Sequence, residues 1–262
     1  MMQEMKRREF ANGKVFALRT PDNFLVECTD TFLPFYTKDA VNQKTNCLTS
    51  DSLGDRSERW MVGVSTMSGC PVRCKFCATG KMKKYRNLTA EEIVAQVKFV
   101  IDQNPDRNPM DAKEFKINYT RMGEPFLNIE EVKKAIKLIE EIRPGTHHYI
   151  STIGVKGSDF SWIKGNITLQ VSLHSCVEDK RNWLIPFKRK MTIEELGQIR
   201  TESNLKTTLN MTLVDDKDFD INILKSHFAN DKFFIKLSPI NENPISKGNG
   251  LGKGIIKAIN LI

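Results

Sequence analysis

The sequence predicts an α/β protein whose main part is an open, partial barrel of six strand–helix units, preceded by a small β-rich extension. From residue 61 to residue 262, short apolar strand-type runs alternate with helical patterns, which is typical of a parallel sheet built from right-handed βαβ units. Residues 1–60 instead carry short apolar runs broken by turn residues, a pattern typical of hairpins. Six units are too few to close an eight-fold barrel, so we expect a partial one.

The extension contains two apolar runs, KVFALRT (14–20) and NFLVECTDTFLPFY (23–36), separated by the turn-type residues TPDN (20–23). A loop-like polar stretch follows at 37–58. We therefore expect hairpins in residues 1–60 and a separate main domain in residues 61–262.

Apolar runs and capping signals predict the elements of the main domain in order. The expected strands are 61–66, 115–120, 148–152, 168–173, 206–213 and 233–239. Helical patterns begin near Thr89, Asn128, Thr192 and Asp220. Two of them open with a capping box, in which Thr89 pairs with Glu92 and Thr192 with Glu195. These signals predict strand and helix in alternation through all six units.

Unusual residues cluster where the predicted strands end. The clusters are the cysteines after the first strand, RMGEP (121–125), STIG (151–154), SLHS (172–175) and SPINENP (238–244). Ligands bind at the carboxyl ends of the strands in parallel α/β sheets. The sequence therefore predicts a binding site at this edge.

Composition and charge narrow the class of protein. The 262 residues have a net charge of +8 and a pI near 9.1, which is compatible with a polyanionic partner such as RNA. Basic clusters at 81–86 and 186–190 lie beside the motifs, although such clusters are otherwise solvated charged faces. The sequence contains no apolar run of about 18 residues, so it predicts no membrane span, and its first residues are too polar for a signal peptide. We expect a cytoplasmic protein.

Three of the six cysteines, Cys70, Cys74 and Cys77, lie within eight residues. In a reducing compartment such thiols act as ligands, nucleophiles or small apolar groups. A zinc site would need a distant fourth ligand. An iron–sulfur cubane can be held by three thiolates, leaving one iron open to a chelating ligand. Phe76 and the position after the first strand favour the cubane.

Taken together, these motifs resemble known families. The segment CPVRCKFC (70–77) after the first strand is similar to the cluster motif of the radical S-adenosylmethionine (SAM) superfamily. A closer resemblance is to the RlmN/Cfr-type RNA adenosine methyltransferases, which act on carbon 2 or carbon 8. It rests on RNL (86–88), RMGEPFLN (121–128), STIG, SLHSCVEDKRNWLIPFKRK (172–190) and LSPIN (237–241).

The resemblance implies a [4Fe–4S] cluster on the three cysteines, with SAM chelating the open iron and yielding a 5′-deoxyadenosyl radical. It also implies an RNA partner, either rRNA or tRNA, and a flavodoxin- or ferredoxin-like electron donor. The SAM contacts that it implies are Gly123, Glu124, Ser151, Ser172, Leu173, His174 and Asn241. Without the resemblance, Glu124 would be an ordinary turn carboxylate before a helix begun by Asn128, and His174 a structural histidine.

The sequence departs from the family pattern in its methyl-transfer cysteines. Gly63 stands seven residues before Cys70, where the family has one of them, and no cysteine follows Cys176. Cys28, Cys47 and Cys176 are the remaining thiols that could substitute, although each could equally be a packed or idle thiol. Cys176 comes after the fourth strand and is the candidate catalytic substitute. Cys28 shares a face with apolar residues and is expected in the core. Arg121 replaces the family's usual glycine.

Three functions remain open at this point. The first is an RNA adenosine methyltransferase-like radical SAM enzyme. The second is a radical SAM enzyme that abstracts hydrogen from a peptide or small metabolite without methylating it. The third is a zinc- and RNA-binding module without enzymatic activity.

Overall fold

A computed structural model describes residues 2–33, 54–213, 218–240 and 242–252 of the chain. It divides into two compact units. Unit 1 comprises Met1–Ser68, Asn87–Met122 and Asn128–Tyr149, and unit 2 comprises Gly69–Arg86, Gly123–Leu127 and Ile150–Ile262. The two units are the compact parts of the structure and do not correspond to the predicted domains. The domain boundary after residue 60 therefore stays a prediction.

Unit 1 begins with an antiparallel meander, so the predicted hairpins are confirmed. Its strands are β1 (Gln3–Phe10), β2 (Gly13–Arg19), β3 (Leu25–Leu33) and β4 (Arg59–Gly63). Two short strands follow, β5 (Met67–Ser68) and β6 (Arg86–Asn87), and then β7 (Glu114–Tyr119). Strand β4 pairs antiparallel with β3 and parallel with β7. The extension and the first parallel strands therefore share one sheet.

Two helices of unit 1 pack against each other, α1 (Ala90–Asp102) and α2 (Ile129–Ile142). The capping box predicted at Thr89 and Glu92 is present at the start of α1. Asn128 precedes α2 as expected, but its side chain makes no cap hydrogen bond. Its amide instead donates to the carbonyls of Thr66 and Leu88, at 2.8 Å each. Asn128 therefore joins segments that are distant in sequence instead of capping α2.

Strand β8 (His147–Thr152) continues the chain from unit 1 into unit 2. Unit 2 contains three parallel strands in the order β9 (Ile167–Ser172), β10 (Thr207–Leu213) and β11 (Phe233–Pro239). Its helices are α3 (Glu178–Leu184), α4 (Ile193–Gly197), α5 (Ile221–His227) and α6 (Pro244–Gly248). All six predicted strands are present to within a few residues, and so is the second capping box, at Thr192.

The connection between β8 and β9 differs from the predicted alternation, because residues 153–166 contain no helix. Gly154, Gly157 and Gly165 all have positive φ in this segment, a backbone conformation that ends a helix rather than continuing one. The fold is nevertheless a mixed α/β fold with parallel strands, as predicted. Within the described residues, no helix has the length and apolar character needed to cross a lipid bilayer.

Candidate functional site

The loop with the three cysteines lies in unit 2, and neighbouring elements of that unit fix its backbone. The amide of Cys77 donates to the carbonyl of Cys74 at 3.1 Å. The amide of Lys75 donates to the carbonyl of Leu184, at the end of α3, at 2.9 Å. Helix α3 therefore holds the segment between the second and third cysteine.

The two residues that flank helix α6 also bind this loop. The Asn243 side chain donates to the Phe76 carbonyl at 2.9 Å, and the Asn249 side chain donates to the Lys75 carbonyl at 2.8 Å. Both carbonyls lie between Cys74 and Cys77. Four hydrogen bonds thus define the backbone that presents the thiols.

The thiols lie close enough to influence one another electrostatically. Burial raises the pKa of Cys70 to about 12, and the charges of Glu124 and Cys77 add to this effect. Burial raises the pKa of Cys74 well above its ordinary value, reinforced by Cys77 and Cys70. Without a ligand, Cys70 and Cys74 therefore keep their protons at neutral pH, and a metal would have to displace them.

This donor set fits a three-thiolate cubane. In the described part of the chain, no three His, Cys, Asp or Glu side chains are arranged to hold one metal ion. A cubane does not need such an arrangement, because each thiolate binds a different iron atom. The loop supplies three mutually close thiols on a fixed backbone, which is the chemistry that this cluster requires.

Glu124 lies in the same unit, only 3% exposed, after Gly123, whose φ of 106° favours glycine. Its carboxylate accepts hydrogen bonds from the Thr152 hydroxyl at 2.6 Å, the Ile153 amide at 2.9 Å and the Phe126 amide at 3.1 Å. Burial raises the pKa of Glu124 to about 7, although all three donors oppose the shift. The carboxylate thus changes its charge near neutral pH.

Arg181 is a functional candidate that the sequence interpretation did not single out. It lies on α3 and is completely buried. Its guanidinium donates to the Ile153 carbonyl at 2.7 Å and to the Met191 carbonyl at 2.6 Å. The Ile153 peptide therefore connects Arg181, through its carbonyl, with Glu124, through its amide. The arginine of the R-x-x-x-x-P segment at 181–186 was the available signal.

His174 has a backbone φ of 61°, uncommon outside glycine. The Thr212 amide donates to its Nδ1 at 3.2 Å, and the Phe76 ring packs edge-on at 4.8 Å. Burial, helped by the charge of Arg181, lowers the pKa of His174 to about 3. The ring is therefore neutral and carries its proton on Nε2, the nitrogen opposite the accepting one. Phe76 of the cysteine loop and His174 are thus in direct contact.

The remaining predicted SAM contacts are distributed around the same strand ends. Ser151 is half-buried in β8, Ser172 is half-buried at the end of β9, and Leu173 is fully buried behind it. The amides of Leu173 and His174 both donate to the Asn210 carbonyl, at 3.0 and 3.2 Å. Asn241 lies outside the described residues.

Cys28 and Cys176, the described cysteines outside the loop, are in protected environments. Cys176 is 3% exposed, and burial raises its pKa to about 11, so it is a protonated thiol at neutral pH. Cys28 is fully buried in unit 1, where the sequence predicted a core position. Cys47 lies outside the described residues.

Gly63 in unit 1 has no room for a side chain. A Cβ there would collide with the Thr29 hydroxyl and approach Arg121 Cδ to 3.0 Å. Arg121 in turn forms an ion pair with Glu27. The position where the family has a cysteine is thus filled by neighbouring side chains.

A cavity of about 470 Å³ lies on unit 2 beside the cysteine loop. Cys74 contributes to its wall together with four basic residues, Arg73, Lys75, Lys81 and Lys83. Part of the basic cluster at 81–86 therefore surrounds a concave surface instead of lying on a flat one.

Comparisons with known proteins show which proteins this chain resembles. The family model of the radical SAM superfamily matches residues 64–221. A probable dual-specificity RNA methyltransferase RlmN of Chlorobium phaeobacteroides is 32% identical over 257 residues, covering 91% of this chain and 69% of that protein. A protein of the same name from Pseudothermotoga lettingae is 33% identical over 194 residues, covering 68% of this chain and 54% of its own length.

Among solved structures, the chain resembles a radical SAM methyltransferase from Sphaerobacter thermophilus. The TM-score is 0.68 at 22% identity, over 99% of this chain and 72% of that one, which shows a shared fold. The chain spans about half the length of several curated relatives that it matches, 54% for the one from P. lettingae.

Proposed function

The chain belongs to the radical SAM superfamily, and we propose that it is an enzyme binding a [4Fe–4S] cluster through Cys70, Cys74 and Cys77. The observation that carries this proposal is the cysteine loop, whose thiols are mutually close and whose backbone is held by α3 and α6. When bound with SAM, the cluster supplies the electron that releases a 5′-deoxyadenosyl radical for hydrogen abstraction.

The SAM site that we propose surrounds Glu124. A buried carboxylate whose pKa is about 7 is poised to accept charge-assisted hydrogen bonds from an ammonium group, which would favour its ionised form. His174 would donate from Nε2 to a ribose or adenine acceptor, and Ser151 and Ser172 carry hydroxyls suited to the same groups. Gly123 and Leu173 would contribute backbone, and Asn241 completes the set expected from the family motif.

For the substrate we propose RNA, either rRNA or tRNA, with methylation of an adenosine. This rests on the RlmN relatives and on the basic cavity beside the cysteine loop. We further propose a flavodoxin- or ferredoxin-like protein as the source of the electron, and action in the cytoplasm.

A second function is favoured by the crowded backbone at Gly63. The family's covalent route to an electrophilic adenine carbon uses a cysteine at this position, and here a side chain would collide with Thr29. Cys176 as its substitute would have to lose a proton held with a pKa of about 11. Hydrogen abstraction without methyl transfer is therefore the alternative reaction.

Anaerobic reconstitution with iron and sulfide tests the proposal. The purified protein, given dithionite, SAM and total cellular RNA, should form 5′-deoxyadenosine, measured by mass spectrometry. S-adenosylhomocysteine and methylated adenosine in the same samples indicate methylation, and 5′-deoxyadenosine alone indicates the second function. Cys74→Ala should lose the cluster absorbance, and Cys28→Ala is the matched control that should retain it. Zinc in place of iron and sulfide would overturn both functions in favour of the zinc module.

A further inference from the structure

Arg181 is a buried cation that forms no ion pair with a described carboxylate. Its side chain is fully enclosed, and its guanidinium contacts two neutral carbonyls, those of Ile153 and Met191. Its Nε is buried without a hydrogen-bond partner. No ion pair joins Arg181 to a carboxylate anywhere in the described part of the chain.

Such an arrangement is unfavourable unless a charge of opposite sign completes it. Removing a guanidinium from water is unfavourable, and hydrogen bonds to neutral carbonyls compensate for only part of the lost hydration. Burial accordingly lowers the pKa of Arg181 to about 10, opposed by the negative charge of the Glu178 carboxylate and of Cys74 in its thiolate form. The structure thus indicates that the functional state contains an anion near this side chain.

The surroundings of Arg181 restrict where that anion comes from. Glu178, an acidic side chain on α3 whose charge acts on Arg181, accepts the Ile193 amide at 2.8 Å. Lys190, which is mostly buried, adds a second positive charge that acts on Arg181. The protein itself therefore supplies more positive than negative charge here.

The cysteine loop is the adjoining source of negative charge. Helix α3, which carries Arg181, receives the Lys75 amide at its Leu184 carbonyl. Arg181 also interacts electrostatically with Cys74 and with His174, whose ring contacts Phe76 of the loop. On cluster binding, the three thiols become thiolates, and negative charge enters next to α3.

We propose that Arg181 is a positioning residue that holds a fixed positive charge on α3, the helix bonded to the cysteine loop, as the counter-charge of the thiolate-bound cluster. This charge makes the cluster easier to reduce. The inference rests on the proposed cluster. A fixed cation stabilises the form with one more electron, so its removal should make the reduction potential more negative. The two backbone hydrogen bonds hold the charge in place, because they prevent the guanidinium from turning away.

Two substitutions separate charge from hydrogen bonding. Arg181→Gln keeps amide donors but removes the charge, and Arg181→Lys keeps the charge but loses the planar fork. Arg189→Gln is the matched control, the same substitution at an exposed arginine of the same segment. Each reconstituted protein is titrated anaerobically with dithionite without SAM, and the reduced cluster is quantified by electron paramagnetic resonance. Iron content and thermal unfolding are measured on the same samples.

We expect Arg181→Gln to reduce the equilibrium constant for one-electron reduction about tenfold, a shift of about 59 mV to more negative potential. Arg181→Lys and Arg189→Gln should keep the potential of the unmodified protein. Equal shifts in the Gln and Lys variants would overturn the inference, because they would indicate a purely structural role. An unchanged potential in Arg181→Gln with weaker binding of radiolabelled SAM would also overturn it, by assigning the counter-charge to the SAM carboxylate.

Failure of the proposed function has a different signature. If the unmodified protein takes up no iron and sulfide, the cluster itself is absent. If Arg181→Gln fails to fold, the potential of Arg181→Lys decides, because a shift there, with the charge retained, would contradict the inference.

Discussion

Glu124→Gln should remove a large pH dependence from the stability of the cluster-free protein. Glu124 has a folded-state pKa of about 7, compared with an ordinary value of 4.5, and burial is the main cause. Because the folded-state pKa is raised, the folded protein holds this proton more tightly than the unfolded chain does. The stabilisation is complete below pH 4.5 and is lost as the pH rises through 7.

The two pKa values set the size of the effect. The difference between about 7 and 4.5 is about 2.5 pKa units, which corresponds to about 3.4 kcal/mol at 1.36 kcal/mol per unit. Between pH 5 and pH 8 the expected change is about 2.5 kcal/mol, because part of the titration lies below pH 5. Since the side chain is 3% exposed, screening by solvent is small.

Urea unfolding at pH 5 and pH 8 measures this change. Other groups titrate in the same range, so the informative quantity is the difference in unfolding free energy between Glu124→Gln and the unmodified protein. Glutamine cannot accept all three donors, but this loss does not depend on pH. Relative to the unmodified protein, the variant should gain about 2.5 kcal/mol from pH 5 to pH 8. A difference that stays constant across this range would refute the reasoning.

Three further predictions concern the same unit. Gly154→Ala should destabilise the protein by about 2–4 kcal/mol in urea unfolding, because φ is +77° and a Cβ would collide with the Leu196 side chain; a loss below 1 kcal/mol would contradict this. Thr152→Val should cost about 1–3 kcal/mol at pH 8 and raise the pKa of Glu124 further, since it removes the 2.6 Å hydrogen bond; an unchanged urea midpoint at pH 8 would speak against it. The double variant Lys81→Gln/Lys83→Gln should weaken binding of single-stranded RNA and reduce the slope of log affinity against log salt by about 1.4, measured by fluorescence anisotropy. An unaltered salt slope would exclude these lysines from the RNA contact.

Local signals in the sequence were sufficient for most elements of the fold. The strand expected at 115–120 is found at Glu114–Tyr119, because its alternating apolar residues meet a buried face. The capping boxes at Thr89 and Thr192 are present, since each needs only residues within one turn. The residue before α2 shows the limit of such signals. Asn128 has the right side chain for a cap, but the carbonyls that it binds come from distant segments.

The candidate site was predictable only where its chemistry is visible in residue types. The spacing of Cys70, Cys74 and Cys77 and the position of Glu124 could be read directly from the sequence. Thr152 could not, because its role follows from burial, and for Arg181 the R-x-x-x-x-P segment marked the position but not the burial. Arg181 lies among charged residues in the sequence, and only the packing of α3 encloses it. A charged residue in a short helix is ordinarily a surface residue, so burial here depends on tertiary structure.

The fastening of the cysteine loop by Asn243 and Asn249 also has a consequence for biosynthesis. These bonds join residues 167 and 174 positions apart, so a chain still on the ribosome cannot make them until residues 243–249 have emerged. The loop therefore acquires its final backbone only after the segment that carries both asparagines has been translated. Delivery of iron and sulfide by an assembly machinery would then act on a chain in which residues 243–249 have already joined the loop.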